Sequence, residues 1–135
     1  MHELIGSLFM KELANSALSA KTDSAIISHK GRKFAFTTDS YVVSPIFFPG
    51  GDIGSLSVHG TVNDLAVCGA RPLYLSLGLV IEEGFEKAKL VKITRSIARA
   101  VNGSGVKIVT GDTKVVGRGS CDKIFINTSG IGEIF

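Results

Sequence analysis

The stretch that decides the fold reads LYLSLGLVIEEGFEKAKLVKITRSIARAVNGSGVKIVT and covers residues 73 to 110. Its first part, Leu73 to Ile81, is predominantly apolar, which is typical of a strand buried on both faces of a sheet. From Glu86 to Asn102 the apolar residues recur at helical spacing, and Gly103 is placed to end that helix. Val106 to Thr110 is a second apolar run. The order of strand, helix and strand predicts an α/β domain.

The flanking sequence adds further strands and helices. Ser24 to Ser28 and Lys33 to Thr38 are β-favouring runs joined by a glycine-containing connection, which predicts a hairpin. The segment from Ser55 to Cys68 predicts a helix, and Ile124 to Ile131 predicts a last strand. Apolar residues at helical spacing in HELIGSLFMKEL predict a short amphipathic helix at the start.

The central helix predicts where the polar residues of its sequence lie. Its expected buried stripe consists of Val58, Val62, Leu65, Ala66 and Gly69. Asn63 and Asp64 fall outside that stripe and are therefore expected at its margin.

The predicted order is α-β-β-α-β-α-β-β, with no internal repeat and no linker. We expect one domain over residues 1–135 with two layers, in which a mixed sheet of four to five strands carries helices on one face. The strands are apolar at nearly every position, so the second face of the sheet is expected to be apolar and uncovered. Such a face predicts a partner, most simply a second copy of the chain in a homodimer.

Composition narrows the function classes. The 135 residues are 44% hydrophobic and carry a formal charge of +3, without a dense basic cluster, so we do not expect nucleic acid as a partner. The basic residues of the predicted helix from Glu86 to Asn102 are expected on a solvated face (Lys87, Lys89, Lys92, Arg95, Arg99). Two isolated cysteines argue against a disulfide framework, and neither a membrane span nor a signal peptide is apparent. We therefore expect a cytoplasmic protein.

Three aspartates lie beside apolar runs, where charge is costly unless it is compensated. They are Asp39 in TTDS, Asp64 in VNDLA and Asp112 in TGDTK. Carboxylates from three elements are the hard ligands that Mg²⁺ prefers, together with nucleotide phosphates. Asp39 and Asp112 are expected at strand ends, which would let the three converge at one edge of the sheet. Taken singly, each is more often a turn former or helix cap.

Other polar residues leave alternatives open. Gly50-Gly51 before the central helix fits either a phosphate-binding turn or a plain turn capped by Asp52 or Ser55. Lys114 fits either a phosphate or proton-transfer group or a surface lysine, and Asp23 either joins the cation cluster or caps a turn. A lone His59 is read as a packed or surface residue, and Cys68 as a core residue of the helix.

Three segments carry a resemblance to a known family. They read FAFTTDSYVVSPIFFPGGDIG, GTVNDLAVCGARPLYLSLGLVIEEGF and VKIVTGDTKVV, and begin at Phe34, Gly60 and Val106. Together they resemble the N-terminal domain of the HypE family, the carbamoyl dehydratases of nickel–iron hydrogenase maturation. That family belongs to the superfamily of aminoimidazole ribonucleotide synthetase. The resemblance covers nearly the whole chain and implies a PurM N-terminal-like fold whose sheets pair in a dimer.

The resemblance also implies roles for individual residues. Asp39, Asp64 and Asp112 would bind Mg²⁺ and, with Asn63 and Thr113, the phosphates of ATP. Lys114 is the residue that we expect to assist proton removal.

The implied reaction uses ATP to convert a thiocarboxamide on a C-terminal cysteine into a thiocyanate, whose cyanide passes to iron. HypF would supply the carbamoyl group and the HypC–HypD complex would receive the cyanide. The family carries a second domain and the modified cysteine, whereas this sequence stops at Phe135. We therefore expect an ATP-binding, dimerising half that is inactive alone. A non-catalytic scaffold module and a sister ATP-dependent kinase are the alternatives.

Overall fold

A mixed five-stranded sheet, with strand order β1-β2-β7-β5-β6, organises the chain in a computed structural model that describes residues 1–135. All neighbouring strands are antiparallel except β5 and β6, which are parallel. The strands are β1 (Ala25–His29), β2 (Arg32–Tyr41), β3 (Phe47–Phe48), β4 (Gly51–Asp52), β5 (Ala70–Glu82), β6 (Lys107–Val116) and β7 (Ile124–Ile134). The helices are α1 (His2–Leu4), α2 (Met10–Leu13), α3 (Ser16–Ser19), α4 (Ile53–Val67) and α5 (Lys87–Ser104).

The predicted two-layer architecture is confirmed. Helices α4 and α5 pack against each other and bury a core against one sheet face, centred on Ile53, Leu75, Ile93 and Ile124. Helix α5 connects the parallel pair β5 and β6, as its position between two apolar runs predicts. This face of the sheet is called the helix face below, and the opposite one the open face.

The ends of the elements follow local sequence. The predicted hairpin forms, and its two turn residues Lys30 and Gly31 both have positive φ, at 48° and 77°, as a tight type I′ turn requires. Asp52 caps α4 in a reciprocal capping box with Ser55. Helix α5 continues past the predicted cap Gly103 to Ser104, and Gly105, whose φ is 70°, is its C-cap.

The predicted buried stripe of α4 is partly wrong. Val58 and Leu65 are fully buried, but Ala66 and Gly69 are exposed. The helix instead buries Ser57 and Thr61, because their hydroxyl groups find partners inside the protein. Small polar side chains therefore bring α4 close to the sheet.

The open face is uncovered, as predicted, but it is not uniformly apolar. Phe36, Tyr74 and Ile131 form an apolar patch at one end of it. The middle carries a polar band that consists of Thr38, Ser40, Ser76, Asn127 and Ser129. Strand β5, which we predicted to be buried on both faces, is thus covered on the helix face only.

An irregularity in β6 determines on which face its later residues lie. Leu75 pairs with Ile108, whereas the next residue, Ser76, pairs with Thr110, so Val109 is an extra residue in β6. Ile108 packs against the core, and the bulge transfers Thr110 and Asp112 to the open face. Asp112 therefore lies in the middle of a ten-residue strand and not past its end as predicted.

The N-terminal segment is helical, but it is interrupted. A π-helical turn, Ile5–Phe9, separates α1 from α2, and no residue of these elements is buried. Leu4, Leu8 and Leu13 expose about half of their surface in this arrangement, with values of 48%, 47% and 62%.

Candidate functional site

Three aspartates, from β2, from α4 and from the segment before β1, lie near the C-terminal end of α4. Asp39 lies in β2 on the helix face, opposite the buried Thr128 of β7. Asp64 lies in the last turn of α4, and Asp23 precedes β1. We call these three residues the acidic corner. Asp39 and Asp64 were predicted site residues. For Asp23, the sequence left open whether it joins the cation cluster or caps a turn.

Hydrogen bonds from side chains to the main chain hold the acidic corner together. Ser24 Oγ donates to the main-chain oxygen of Asp64 at 2.8 Å, and Thr37 Oγ1 donates to that of Asp23 at 3.0 Å. Ser24 and Thr37 are themselves buried. Their bonds fix the backbone of two aspartates and leave the carboxylates free to bind a ligand.

The electrostatics of the acidic corner favour a cation. Burial raises the pKa of the Asp64 carboxyl, and the negative charges of Asp39 and then Asp23 raise it further. None of these three carboxylates has an ion-pair partner among the chain's basic residues. Oxygen ligands with uncompensated negative charge fit a hard divalent cation, which typically uses one or two carboxylates, water and phosphate oxygens.

A buried chain of hydroxyl groups stands behind the acidic corner. The Tyr41 hydroxyl lies 3.0 Å from Thr61 Oγ1, which lies 2.6 Å from Thr128 Oγ1. Thr128 Oγ1 also donates to the main-chain oxygen of Ser57 at 2.7 Å. Burial raises the pKa of the Tyr41 phenol, and Asp39 and Asp64 add to the rise while bonds from Thr61 and Thr128 oppose it. This chain joins α4 to β2 and β7, and no sequence pattern had indicated it.

The remaining predicted site residues lie elsewhere. Asp112 is on the open face of β6, three strand positions from β2, which corresponds to about 14 Å at the usual strand spacing. Lys114 Nζ lies 2.7 and 2.8 Å from the two carboxylate oxygens of Asp112, and this contact lowers the pKa of Asp112. Thr113, which lies between Asp112 and Lys114 in sequence, is exposed. Asn63, which precedes Asp64 in α4, is exposed as well.

The predicted convergence of Asp39, Asp64 and Asp112 is therefore not seen within one chain. No group of three or more His, Cys, Asp or Glu side chains has a geometry that could hold a metal ion. Asp112 lies three strands from β2 and, because of the bulge at Val109, on the opposite face of the sheet from Asp39. Within one chain, the acidic corner therefore forms no complete metal site.

Comparison with known families supports the expected fold. Residues 21–134 match the family model described as AIR synthase related protein, N-terminal domain. The chain belongs to this family. The matched range includes all three residues of the acidic corner as well as Asp112 and Lys114. It leaves out only the N-terminal helical segment and the last residue.

Two curated members of the family illustrate the similarity. The chain is 52% identical over 136 residues to the carbamoyl dehydratase HypE of Rhodobacter capsulatus, covering 99% of this chain and 40% of that protein. It is 50% identical over 139 residues to HypE of Escherichia coli, covering 99% and 41%. The chain thus spans about two fifths of the length of these relatives.

Solved structures agree with this similarity. The fold matches a chain in the crystal structure of a HypE–HypF complex with a TM-score of 0.91 and 52% identity, over 98% of this chain and 42% of that chain. It matches HypE in complex with ATP with a TM-score of 0.76 and 54% identity, over 99% and 40%. A ThiL protein complexed with AMPPCP and TMP matches with a TM-score of 0.78 but only 20% identity, over 98% and 43%, and therefore supports the fold alone. None of the helices combines the length and apolar character that crossing a membrane requires.

Proposed function

We propose that this chain is the ATP-binding and dimerising N-terminal domain of a HypE-like carbamoyl dehydratase. The observation that carries the proposal is the identity of 52% to HypE over 99% of the chain. The acidic corner supports it, because the negative charge of Asp39 acts on Asp64, and both are predicted phosphate and Mg²⁺ ligands.

In the proposed reaction, ATP transfers its γ-phosphoryl group to the carboxamide oxygen of a thiocarboxamide carried on a cysteine. That oxygen then leaves with the phosphate while the nitrogen loses its protons, which yields a thiocyanate. The cysteine belongs to the additional length that the relatives have. HypF would supply the carbamoyl group and HypC–HypD would receive the cyanide, and a HypE–HypF complex is known among the relatives.

The acidic corner would act on the nucleotide end of this reaction. Asp64 and Asp39 would hold Mg²⁺, with Asp23 as a further acidic neighbour and Asn63 at the phosphates. When bound, Mg²⁺ neutralises charge on the transferring phosphoryl group. The buried hydroxyl chain from Tyr41 to Thr128 keeps α4 seated on the sheet, so that Asp64 stays beside Asp39.

Asp112, Thr113 and Lys114 would contribute to the proposed site in the homodimer. They lie on β6 and, for Asp112 and Lys114, on the open face that a second copy is expected to cover. Lys114 now pairs with Asp112, and a nucleotide phosphate would compete for its ammonium group. We keep Lys114 as the proposed proton-transfer residue on this basis.

Calorimetric titration with ATP, with and without Mg²⁺, tests the proposal. We expect weak binding that depends on Mg²⁺ and no ATP hydrolysis by the chain alone. Asp64→Asn should abolish binding, whereas the exposed Asp122→Asn serves as a matched control and should retain it. Equal binding by both variants would refute the site.

The same titration separates the alternatives. Absence of ATP binding would favour a non-catalytic scaffold module. Hydrolysis that Asp64→Ala abolishes would instead show that the chain turns over without further sequence. Phosphorylation of thiamine monophosphate would identify a sister kinase.

A further inference from the structure

Helix α5 carries a strongly basic surface that the proposed nucleotide site does not use. Between Lys87 and Ser104 it contains five basic residues and no acidic one. Lys89, Lys92, Arg95 and Arg99 follow each other at intervals of three, three and four residues, so they form one stripe along the exposed side of the helix. We call these four residues the basic stripe. It is about 15 Å long at the usual helical rise.

Most of the positive charge of the basic stripe is unpaired. Lys89 forms an exposed ion pair with Glu86 at 3.2 Å, but Lys92, Arg95 and Arg99 have no carboxylate within ion-pair distance. Lys92 instead lies 4.6 Å from the centre of the Phe47 ring, which fixes its ammonium group on the surface. The stripe therefore presents oriented cations without internal neutralisation.

A cavity of about 310 Å³ lies at the C-terminal end of the basic stripe, between α4 and α5. Arg99 and His59 line it, together with Ser55, Ser96 and glycines 50, 51 and 103. Arg99 Nη2 donates to Ser96 Oγ at 3.1 Å, and Ser96 Oγ donates in turn to the buried carboxylate of Asp52. This relay orients the guanidinium group at the wall of the cavity and leaves its other N–H donors available.

Asp52 does not offer its own carboxylate to a ligand in the cavity. It is 4% exposed, and its two oxygens accept bonds from the Ser55 main-chain N–H and from Ser96 Oγ. The accessible groups of the cavity are therefore chiefly hydrogen-bond donors. A planar guanidinium at such a position matches a carboxylate, which it binds through two parallel hydrogen bonds.

We propose that the basic stripe and this cavity form a docking surface for an acidic segment of a partner protein, with one carboxylate side chain held at Arg99. Charge complementarity selects the partner. A nucleic acid fits less well, because the stripe has no exposed aromatic side chains on which bases could stack and the whole chain carries only +3. The surface lies at the opposite end of α4 from the acidic corner.

Binding of a fluorescein-labelled deca-glutamate peptide, followed by fluorescence anisotropy at low salt, tests the proposal. We expect the triple variant K92Q/R95Q/R99Q to bind about tenfold more weakly than the wild type, as three partly screened charges would give. The matched control K11Q/R32Q/K33Q removes the same charge from exposed positions that have no ion pairs. Equal weakening in both variants would overturn the proposal, since only net charge would then matter.

Two further measurements locate the contact. Amide NMR shifts induced by the peptide should concentrate at Gly51, Ser55, Arg99 and Gly103, and they should diminish in Arg99→Lys, which keeps the charge but loses the planar fork. Unchanged shifts in Arg99→Lys would refute the cavity's role. If a deca-thymidylate oligonucleotide binds more tightly than the peptide, and its binding also depends on the stripe, the partner is a nucleic acid and not an acidic protein. ATP binding should remain unchanged in the triple variant.

Discussion

Ser24 Oγ and the main-chain oxygen of Asp64 are 2.8 Å apart, although 40 residues separate them in sequence. This bond ties the start of the hairpin to the last turn of α4 and so fixes the backbone of the acidic corner. Ser24 is 2% exposed, so water cannot replace the hydroxyl if it is removed.

Ser24→Ala should therefore lower both stability and ligand binding. We expect the free energy of unfolding to fall by about 1–2 kcal/mol, because the Asp64 carbonyl loses its partner. Urea denaturation measures this loss, and calorimetry should show weaker binding of ATP with Mg²⁺. Ser28→Ala is the control, because Ser28 is exposed on the neighbouring strand. A similar result for the two variants would show that the bond has no structural role.

Substitution of Gly60 tests how closely α4 approaches Tyr41. A Cβ atom at Gly60 would collide with the Tyr41 hydroxyl and lie 3.0 Å from its Cε1 atom. Gly60→Ala should cost about 1–3 kcal/mol of unfolding free energy, whereas Gly103→Ala in α5, where no atom lies within 4 Å, should gain about 0.5–1 kcal/mol. The cost of Gly60→Ala should shrink in a Tyr41→Phe background. Strict additivity in this double-mutant cycle would contradict the predicted clash.

The raised pKa of Asp64 predicts a pH-dependent stability. The folded protein holds this proton more tightly than the unfolded chain, so the free energy of unfolding decreases as pH rises through and above the ordinary range of an aspartate. Asp64→Asn removes the free-energy cost of a charged carboxylate at this position of the folded protein. The variant should be more stable than the wild type near neutral pH and equally stable below about pH 3. Denaturation at both pH values measures the difference, and a gap that does not change with pH would argue against this cause.

The ion pair of Lys114 with Asp112 predicts the opposite behaviour. The ammonium group lowers the pKa of Asp112, so its contribution to stability exists above the ordinary aspartate range and is lost as pH falls. In Lys114→Gln the Asp112 carboxyl should titrate at a higher pH, which carbon NMR of the carboxylate can follow. Lys123→Gln, whose partner is Asp122, should leave the titration of Asp112 unchanged.

The open face predicts a homodimer at micromolar concentration in sedimentation experiments. Ser129 lies in the polar band, where Ser129→Glu would place like charges near a two-fold axis and should give a monomer. Ser28→Glu adds the same charge to an exposed position of β1 on the helix side of the sheet and should preserve the dimer. A wild-type chain that sediments as a monomer would refute the role of this face.

Hydrophobic patterning predicted most of the fold. The apolar run from Leu73 to Ile81 and the repeat of Ile93 and Ile97 in α5 mark elements that the structure contains. These signals succeed because burial on one helical stripe or strand leaves a periodic trace in sequence. Strands β5 and β6 extend by several residues past their predicted ends, since hydrogen bonding continues past the last apolar residue, whereas β6 begins one residue later than predicted.

The site was harder to predict, for two physical reasons. Alternation along β6 counted from Ile108 would put Asp112 on the helix face with Asp39, but the extra residue Val109 reverses the side. The buried hydroxyls of Thr61 and Thr128 carry no sequence signal, because threonine is equally common at surfaces. The expected convergence of Asp112 with Asp39 and Asp64 was wrong for a single chain.

The position of β6 as the outermost strand also has a consequence for solubility. Its free rim of backbone N–H and C=O groups is a template for strand addition, and Val109 and Val115 are 60% and 69% exposed beside it. Asp112 and Lys114 place charges within this apolar edge segment, and such charges oppose fibrous aggregation. Charge at Asp112 and Lys114 would thus limit amyloid-like stacking at this edge, apart from any part that Lys114 plays at a nucleotide.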